Sequence, residues 1–215
     1  MKTIIITLTN LPDNSGLKQL ERSLNHFDLD YVIIQTEWKG FGTKIIETYN
    51  YLKHNKEDYT HFIFVDAHDT FFLSGMDEIE NKYKQLGSPN YLFSCEKACW
   101  PDSQLSELYP NCESDWKYLK SGAYMANIDK FIELVEKDMP EYHIDDQRYY
   151  TKIFLKSKEI ALDYNCEIFQ SYSFISEDDY TYLPERCFNN KTLEMPVVFH
   201  GNGKTDLSKI YKLIK

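Results

Sequence analysis

The sequence predicts an α/β fold in which strands and helices alternate along the chain. Residues 2–9 (KTIIITLT) form an apolar run rich in β-branched side chains, as expected for a central parallel strand. Leucines at helical spacing follow, and residues 30–35 (DYVIIQ) supply a second strand, so the chain opens as a βαβ unit. Later apolar runs end on polar side chains, at strand ends where open α/β sheets bind ligands.

Length and charge limit the class of protein. A chain of 215 residues can bury a sizeable core, so we expect residues 1–215 to form a single domain. The net charge of −10 and the lack of a basic stripe argue against a nucleic-acid partner. No apolar window is long enough to span a membrane, and the first predicted strand leaves no room for a signal peptide. The five cysteines have no zinc-ligand spacing, so we expect free thiols and a cytoplasmic protein.

The middle of the chain continues the alternation of strands and helices. Apolar residues at helical spacing predict a helix starting at Thr43, and residues 62–65 (FIFV) predict a short buried strand. A helix is predicted over residues 76–86, and residues 91–95 (YLFSC) predict the next strand. Residues 102–118 are polar and contain a proline, so we expect a loop with a short helix there.

The second half of the chain repeats this order. Residues 121–126 (SGAYMA) predict a strand, and the apolar spacing from Ile128 predicts the next helix. Residues 143–147 open a further helix, and residues 178–192 are expected to be a polar surface loop. Three short strands complete the prediction, over residues 160–163, 167–169 and 195–199.

Two carboxylates follow the predicted strand at residues 62–65. Asp66 and Asp69 lie three residues apart on a turn, where oxygen ligands can share one hard divalent cation. A polar, solvated turn is the alternative. His200 follows the apolar run at residues 195–199 and is a third potential metal ligand at a strand end, although a lone histidine there is more often structural. The three residues together predict a metal site.

Glycines and a lysine surround the start of the helix predicted at Thr43. Gly40 and Gly42 loosen the backbone, and Lys44 lies in the first helical turn. Amide donors and an ammonium group at a helix start can cradle a phosphate. A plain loop that starts the helix is the favoured alternative, because the spacing matches no Walker A loop.

Two further segments carry carboxylates. Glu96 ends the predicted strand at residues 91–95, and Trp100 four residues later either lines a substrate pocket or fills space as a hydrophobic plug. Asp145 and Asp146 open a predicted helix, where the helix dipole favours acidic residues without any catalytic role. Each segment therefore has both a functional and a structural interpretation.

Six sequence blocks in a fixed order resemble the glycosyltransferase domain of the multifunctional procollagen lysyl hydroxylases. The resemblance implies a GT-A fold, with a single mixed α/β sheet whose nucleotide-binding half is Rossmann-like and flanked by helices. The blocks are FVDAHD, FSCEKACWPD, YPNCESDWKYLKSGAY, the DDQ of residues 145–147, LDYNCEIFQ and PVVFHGNG.

The resemblance also implies roles for site residues. It makes Asp66, Asp69 and His200 the ligands of manganese, with magnesium as an alternative. It places a second group near the uridine, the phosphates or the sugar of the donor: Gly42, Lys44, His68, Asn202, Gly203 and Lys204. A third group would line the sugar and acceptor side: Glu96, Trp100, Asp145 and Asp146.

The implied reaction moves glucose or galactose from a UDP-sugar to a hydroxyl group of a glycan or a protein, hydroxylysine-linked acceptors included. The sequence departs from the family in two side chains. His68 stands where a tyrosine is expected, and Lys204 lies two positions before the expected lysine. The sequence has neither the hydroxylase domains nor a leader, so we expect a stand-alone bacterial or viral version.

Two rival interpretations come from other classes of protein. FIFVDAHDT resembles the DxDxT motif of haloacid-dehalogenase-like phosphatases, but its second aspartate is one residue too far from the first. A non-catalytic module that binds nucleotide-sugars or glycans is the second alternative. The presence of all three metal-ligand types and a second acidic pair favours catalysis.

Overall fold

A computed structural model describes residues 1–55 and 58–214, with only the backbone at Glu177 and Lys204. The strands are β1 (Thr3–Thr9), β2 (Tyr31–Gln35), β3 (His61–Val65), β4 (Thr70–Phe72), β5 (Tyr91–Glu96), β6 (Tyr118–Asn127), β7 (Ile160–Leu162), β8 (Phe169–Ser171), β9 (Tyr180–Leu183), β10 (Arg186–Asn189) and β11 (Val198–His200). The helices are α1 (Ser15–His26), α2 (Gly42–Asn55), α3 (Met76–Gln85), α4 (Ile128–Lys137), α5 (Asp146–Lys156) and α6 (Ser208–Tyr211). Short 3₁₀ helices span Ser103–Leu108, Glu177–Asp179 and Asn202–Lys204.

The central sheet has six strands in the order β2-β1-β3-β6-β5-β7. Strand β1 lies between two parallel partners, β2 and β3, which confirms its prediction as a parallel strand inside the sheet. Strand β6 runs antiparallel to both β3 and β5, while β7 is parallel to β5. The mixed α/β sheet predicted from the sequence is therefore confirmed.

Hydrophobic side chains cover both faces of this sheet. Every residue of β1 is buried, and its side chains alternate between two core clusters. Ile6 and Phe64 pack in one cluster, while Ile5 and Ile63 pack in the other. This two-sided burial explains why the strands read as continuous apolar runs. It leaves the strand ends as the places where polar side chains gather.

A second, three-stranded sheet completes the edge that carries the site. Strand β11 lies between β4, to which it is antiparallel, and β8, to which it is parallel. The sequence does not predict β4, because three residues are too few to show a period. The strand predicted at residues 195–199 lies closer to the C-terminus in the structure, at Val198–His200, so His200 is itself a strand residue.

The prediction of a surface loop over residues 178–192 is wrong. The segment folds into the β9–β10 hairpin, in which Tyr180, Cys187 and Asn189 are buried. Asn189 donates a hydrogen bond from its Nδ2 to Oε1 of Gln170, 2.7 Å away. Asn189 can be buried because both ends of its amide find partners: Oδ1 accepts from the backbone N–H groups of Lys191 and Thr192.

All five cysteines are free thiols, as predicted. Within residues 1–55 and 58–214, no helix combines the length and the apolar character needed to cross a membrane.

Candidate active site

Two carboxylates and an imidazole converge where the two sheets meet. Asp66 follows the last residue of β3, and the chain turns through Asp69 into β4, whose Thr70 pairs with His200 at the end of β11. His200 Nε2 lies 3.5 Å from Asp66 Oδ2 and 3.3 Å from Asp69 Oδ1. One ligand atom from each residue lies within 4.8 Å of the other two. The fold therefore assembles the three predicted ligands into one cluster.

The chemistry of this cluster fits a divalent cation. Two carboxylates and an imidazole are ligands suited to manganese and magnesium. His200 is only 2% exposed, and its Nδ1 has no hydrogen-bond partner among the described residues. Burial alone would raise the pKa of Asp69, but the neighbouring His200 and Lys44 hold that pKa at about 2. The carboxylate is therefore ionised, as a metal ligand must be.

Gly122 in β6 makes room for the cluster, and sequence reasoning did not assign it a role. A Cβ atom at this position would lie 2.1 Å from His200 Cε1 and 2.7 Å from Asp66 Oδ2. Both distances are shorter than real contacts allow, so any side chain here would displace the His200 imidazole, the Asp66 carboxylate or β6 itself. The available signal was a glycine inside a predicted strand, which often marks a close approach of another group.

Lys44 links the candidate metal ligands, Asp66, Asp69 and His200, to the second acidic motif. Its Nζ lies 2.5 Å from Asp66 Oδ1 and 3.3 Å from Asp146 Oδ2. Burial would lower the pKa of this lysine, but the attraction of both carboxylates raises it well above its usual value. Asp145 instead accepts a hydrogen bond from the backbone N–H of Arg148 (2.8 Å) and caps α5. The structural interpretation of the acidic pair thus holds for Asp145, whereas Asp146 faces the site.

Gly40, just before α2, and Gly42, its first residue, allow another part of the backbone to pack closely against them. The N–H of Gly42 donates to the carbonyl of Tyr142, 3.0 Å away, and a Cβ at Gly42 would lie 2.2 Å from the carbonyl oxygen of Glu141. Gly40 has a φ of +128°, and a Cβ there would lie 2.4 Å from the carbonyl oxygen of Tyr142. These contacts support the alternative of a helix-start loop. A contact between Gly42 and a donor stays a prediction.

Glu96 is buried at the end of β5 and is held by two amide groups. Gln147 donates from Nε2 to Glu96 Oε1 at 2.6 Å, and Asn202 donates from Nδ2 to Oε2 at 2.8 Å. Burial raises the pKa of Glu96. The indole of Trp100, by contrast, is 65% exposed, so it is not a hydrophobic plug. Sequence reasoning missed Gln147, although it belongs to the DDQ block.

The loop after β11 holds the other predicted donor contacts. The amide of Asn202 is already bonded to Glu96. Gly203 has a φ of +70°, and no described heavy atom lies within 4 Å of where its Cβ would be. The side chain of Lys204 lies outside the described part of the chain. Contacts of these residues with phosphates stay predictions.

A cavity of about 620 Å³ lies beside the candidate metal ligands, and Asp66 and Asp69 line it. This volume falls within the range of pockets that bind small molecules and cofactors. His68 reaches into it and places Nε2 2.9 Å from Thr9 Oγ1, at the end of β1. The other lining residues include Asn10, Asn14, Trp38, Lys44, Asp66, Asp69, Asp206 and Tyr211.

Relatives of known sequence cover almost the whole chain. Residues 2–213 match the family described as the PLOD GT domain. An uncharacterised protein of Acanthamoeba polyphaga mimivirus is 34% identical over 199 residues, which are 87% of this chain and 43% of that protein. The multifunctional procollagen lysine hydroxylase and glycosyltransferase of Caenorhabditis elegans is 28% identical, across 92% of this chain and 31% of its own length. The chain thus spans less than half of either relative.

Solved structures share the fold at low identity. A glycosyltransferase involved in the glycosylation of the major capsid of PBCV-1 superposes with a TM-score of 0.57 at 10% identity, covering 99% of this chain and 98% of that one. Mouse xyloside xylosyltransferase 1 in its apo form gives a TM-score of 0.52 at 11% identity, covering 95% and 98% of the two chains. The fold is therefore GT-A, as expected, and the chain belongs to the family of glycosyltransferase domains found in procollagen lysyl hydroxylases.

Proposed function

We propose that the protein is a metal-dependent glycosyltransferase that moves glucose or galactose from a UDP-sugar to a hydroxyl group. The observation that carries this proposal is the cluster of Asp66, Asp69 and His200, of which the two aspartates line the 620 Å³ cavity. Membership of a glycosyltransferase family supports the same reaction class. The acceptor would be a glycan or a protein hydroxyl, with hydroxylysine-linked groups as the first candidates.

The metal-ligand residues would hold manganese or magnesium. A divalent cation in this place would neutralise the charge that develops on the departing diphosphate. Lys44 lies beside the cluster and adds a second positive charge at the same end of the cavity. Such preorganised charge stabilises a transition state without reorganisation of solvent. His68 and Thr9 line the part of the cavity that would bind the nucleoside.

The acceptor side would lie across the cluster from the nucleoside. Asp146 is buried and contacts Lys44, so its carboxylate stays close to the metal-ligand residues. Glu96 is held by two amide donors and cannot rotate freely. We assign these carboxylates to orienting the acceptor hydroxyl and to stabilising positive charge on the reacting sugar. Trp100 would offer its exposed ring to a sugar face.

The test is the thermal stability of the purified chain with UDP, GDP or no nucleotide, each with manganese or with a chelator. A ligand that binds only the native state raises the melting temperature. A shift that needs both UDP and manganese supports the donor site and leads to a screen of UDP-sugars for turnover. Absence of a shift with every combination would contradict the proposal. UDP binding without turnover on any acceptor would favour the non-catalytic module.

A further inference from the structure

The segment after β5 carries an exposed indole that packing does not hold in place. Trp100 is 65% exposed, so its orientation depends on the backbone that carries it. Glu96 lies four residues before it and is buried. A sugar-binding ring works only if it stays at a constant distance from the reacting groups. The bonds that hold this backbone therefore decide where Trp100 stands relative to the carboxylates.

The first turn of α5 makes two such bonds through consecutive residues. Gln147 donates from the same Nε2 to Glu96 Oε1 (2.6 Å) and to the carbonyl oxygen of Trp100 (2.7 Å). Arg148 forms a bidentate pair with Asp102, from Nε at 2.6 Å and from NH2 at 2.8 Å. Both ends of the segment that carries Trp100 are thus fastened to the helix that begins with Asp146.

The Gln147 bonds are buried, whereas the Arg148–Asp102 pair is partly exposed to water. The exposed pair can therefore fix a geometry while contributing little to stability. Gln147 is 3% exposed, and its amide joins the Glu96 carboxylate to the carbonyl oxygen of Trp100. The side chains of Arg148 and Asp102 are 42% and 19% exposed. Ion pairs with such access to water contribute little to stability. A bidentate guanidinium pair does, however, impose one geometry on the two groups that it joins.

We infer that Gln147 and Arg148 are positioning residues that hold Trp100 and Glu96 in a constant arrangement with Asp146 for binding of the acceptor. This clamp rests on the proposed function, since the acceptor side is assigned there. Gln147 fixes the carboxylate and the indole-bearing backbone together. Arg148 fixes the far end of the segment. Loss of the Arg148 pair would loosen the acceptor side and leave the donor site intact. Loss of the Gln147 bonds would also free Glu96, which holds Asn202.

The chain offers a matched control for Arg148. Arg186 in β10 forms a bidentate pair with Glu78 in α3, with distances of 2.6 Å and 2.8 Å. The side chains of Arg186 and Glu78 are 25% and 27% exposed, values that lie between those of Asp102 and Arg148. Neither residue contacts the candidate site. Arg148→Leu and Arg186→Leu therefore both remove a bidentate ion pair, and Arg186→Leu also removes a hydrogen bond to the carbonyl of Met195. Only the first substitution affects the proposed clamp.

The experiment measures transfer from UDP-glucose and UDP-galactose to a collagen-like peptide that contains hydroxylysine. We expect Arg148→Leu to raise the acceptor KM about tenfold, with the melting shift by UDP and manganese unchanged. Gln147→Glu should have a larger effect, because it removes both donated bonds and places a second carboxylate against Glu96. The double variant Asp102→Arg/Arg148→Asp restores an ion pair and should return the KM to near its original value. Arg186→Leu should leave the KM unchanged.

Three results would overturn the clamp: an unchanged acceptor KM in Arg148→Leu, an equal rise in Arg186→Leu, or no rescue by the exchanged pair. Amide hydrogen exchange over residues 99–105 provides a measurement that needs no acceptor. It should become faster in Arg148→Leu and not in Arg186→Leu, and unchanged exchange would also contradict the clamp. If the unaltered chain shows no UDP-dependent shift and no transfer, the proposed function fails, and the exchange measurement alone decides the clamp.

Discussion

The chain has two acidic motifs that look alike in the sequence and that the fold uses differently. Asp66 and Asp69 both reach His200, so the three-residue spacing on a turn brings two carboxylates to one point. Asp145 and Asp146 are adjacent at a helix start and point apart. Asp145 caps α5, while Asp146 is buried against Lys44. Two carboxylates three residues apart on a turn therefore reach the same partner, whereas two adjacent carboxylates at a helix start reach different partners.

The ammonium group of Lys44 connects the two motifs. It contacts Asp66 from the metal cluster and Asp146 from the helix, while Asp69 faces His200. In a chain with ten more acidic than basic residues, this largely buried ammonium balances the charge of a buried carboxylate, Asp146, and of a partly buried one, Asp66. The comparison thus separates three candidate metal ligands, which lie together, from Asp146, which shares only Lys44 with them. Substitutions can test that separation.

The largest effect is expected at the metal ligands. Asp69→Ala or His200→Ala should abolish the melting shift that needs both UDP and manganese, because each removes one of three ligands. At a ligand concentration of one hundred times Kd, that shift corresponds to about 2.7 kcal/mol of stabilisation. Asp145→Ala is the control and should retain the shift. Unchanged binding in both ligand variants would show that the cluster is not the metal site.

Gly122→Ala tests the same candidate metal ligands from β6, the strand that packs against them. The new methyl group would lie 2.1 Å from His200 Cε1, so the imidazole or β6 must move. We expect loss of the manganese-dependent shift and a loss of stability of about 1–3 kcal/mol, as for other overpacked sites. Gly75→Ala is the matched control, since the nearest atom to its Cβ would lie at 3.9 Å. Melting curves with and without manganese and UDP measure both effects.

Asparagine substitutions test the division within the second motif. Asp146→Asn should keep the UDP-dependent shift and reduce transfer about 100-fold or more, as expected when a group acting on the acceptor loses its charge. Asp145→Asn should change transfer little, because asparagine caps a helix as well as aspartate does. Initial rates at saturating donor measure the difference. Equal losses of transfer in the two variants would contradict the assignment of separate roles.

The capping role of Asp145 has its own, smaller measurement. Asp145→Ala should lower the free energy of unfolding by about 1 kcal/mol, the usual contribution of an N-cap side chain. Asp145→Asn should recover most of this loss. Denaturant titration of the metal-free chain measures the free energies. A stability equal to that of the unaltered chain in Asp145→Ala would remove the structural role.

The last prediction concerns the pH dependence of stability without metal. The pKa of Asp69 is lowered from 3.8 to about 2, so its ionised form stabilises the folded state. This contribution is fully present above the unfolded pKa and is lost as the pH falls through the folded pKa near 2. The difference in unfolding free energy between the unaltered chain and Asp69→Asn should therefore shrink as the pH falls below about 4. A difference independent of pH would contradict the ionised pairing with His200.

Local sequence patterns determined much of the fold and two of the three candidate metal ligands. The β-branched run of β1, the leucine spacing of α1 and the turn after β3 depend on neighbouring residues, so they can be read without knowing the rest of the chain. The same holds for Asp66 and Asp69, whose spacing lies within one turn. The patterns did not predict β4, because its three residues pair with β11 far along the chain. They did not predict the β9–β10 hairpin either, because its four-residue strands are too short and too polar to show a clear period.

Only the tertiary structure decided which residues meet. His200 reaches the two aspartates because β11 pairs with β4 in a register that sets Thr70 opposite His200. The close approach of Gly122 to His200 and Asp66 arises in the same way. So do the hydrogen bonds of Gln147 to Glu96 and to the carbonyl of Trp100. The physical reason is common to all three: a sequence specifies which groups are available, whereas strand register and helix packing set the distances between groups far apart in the chain.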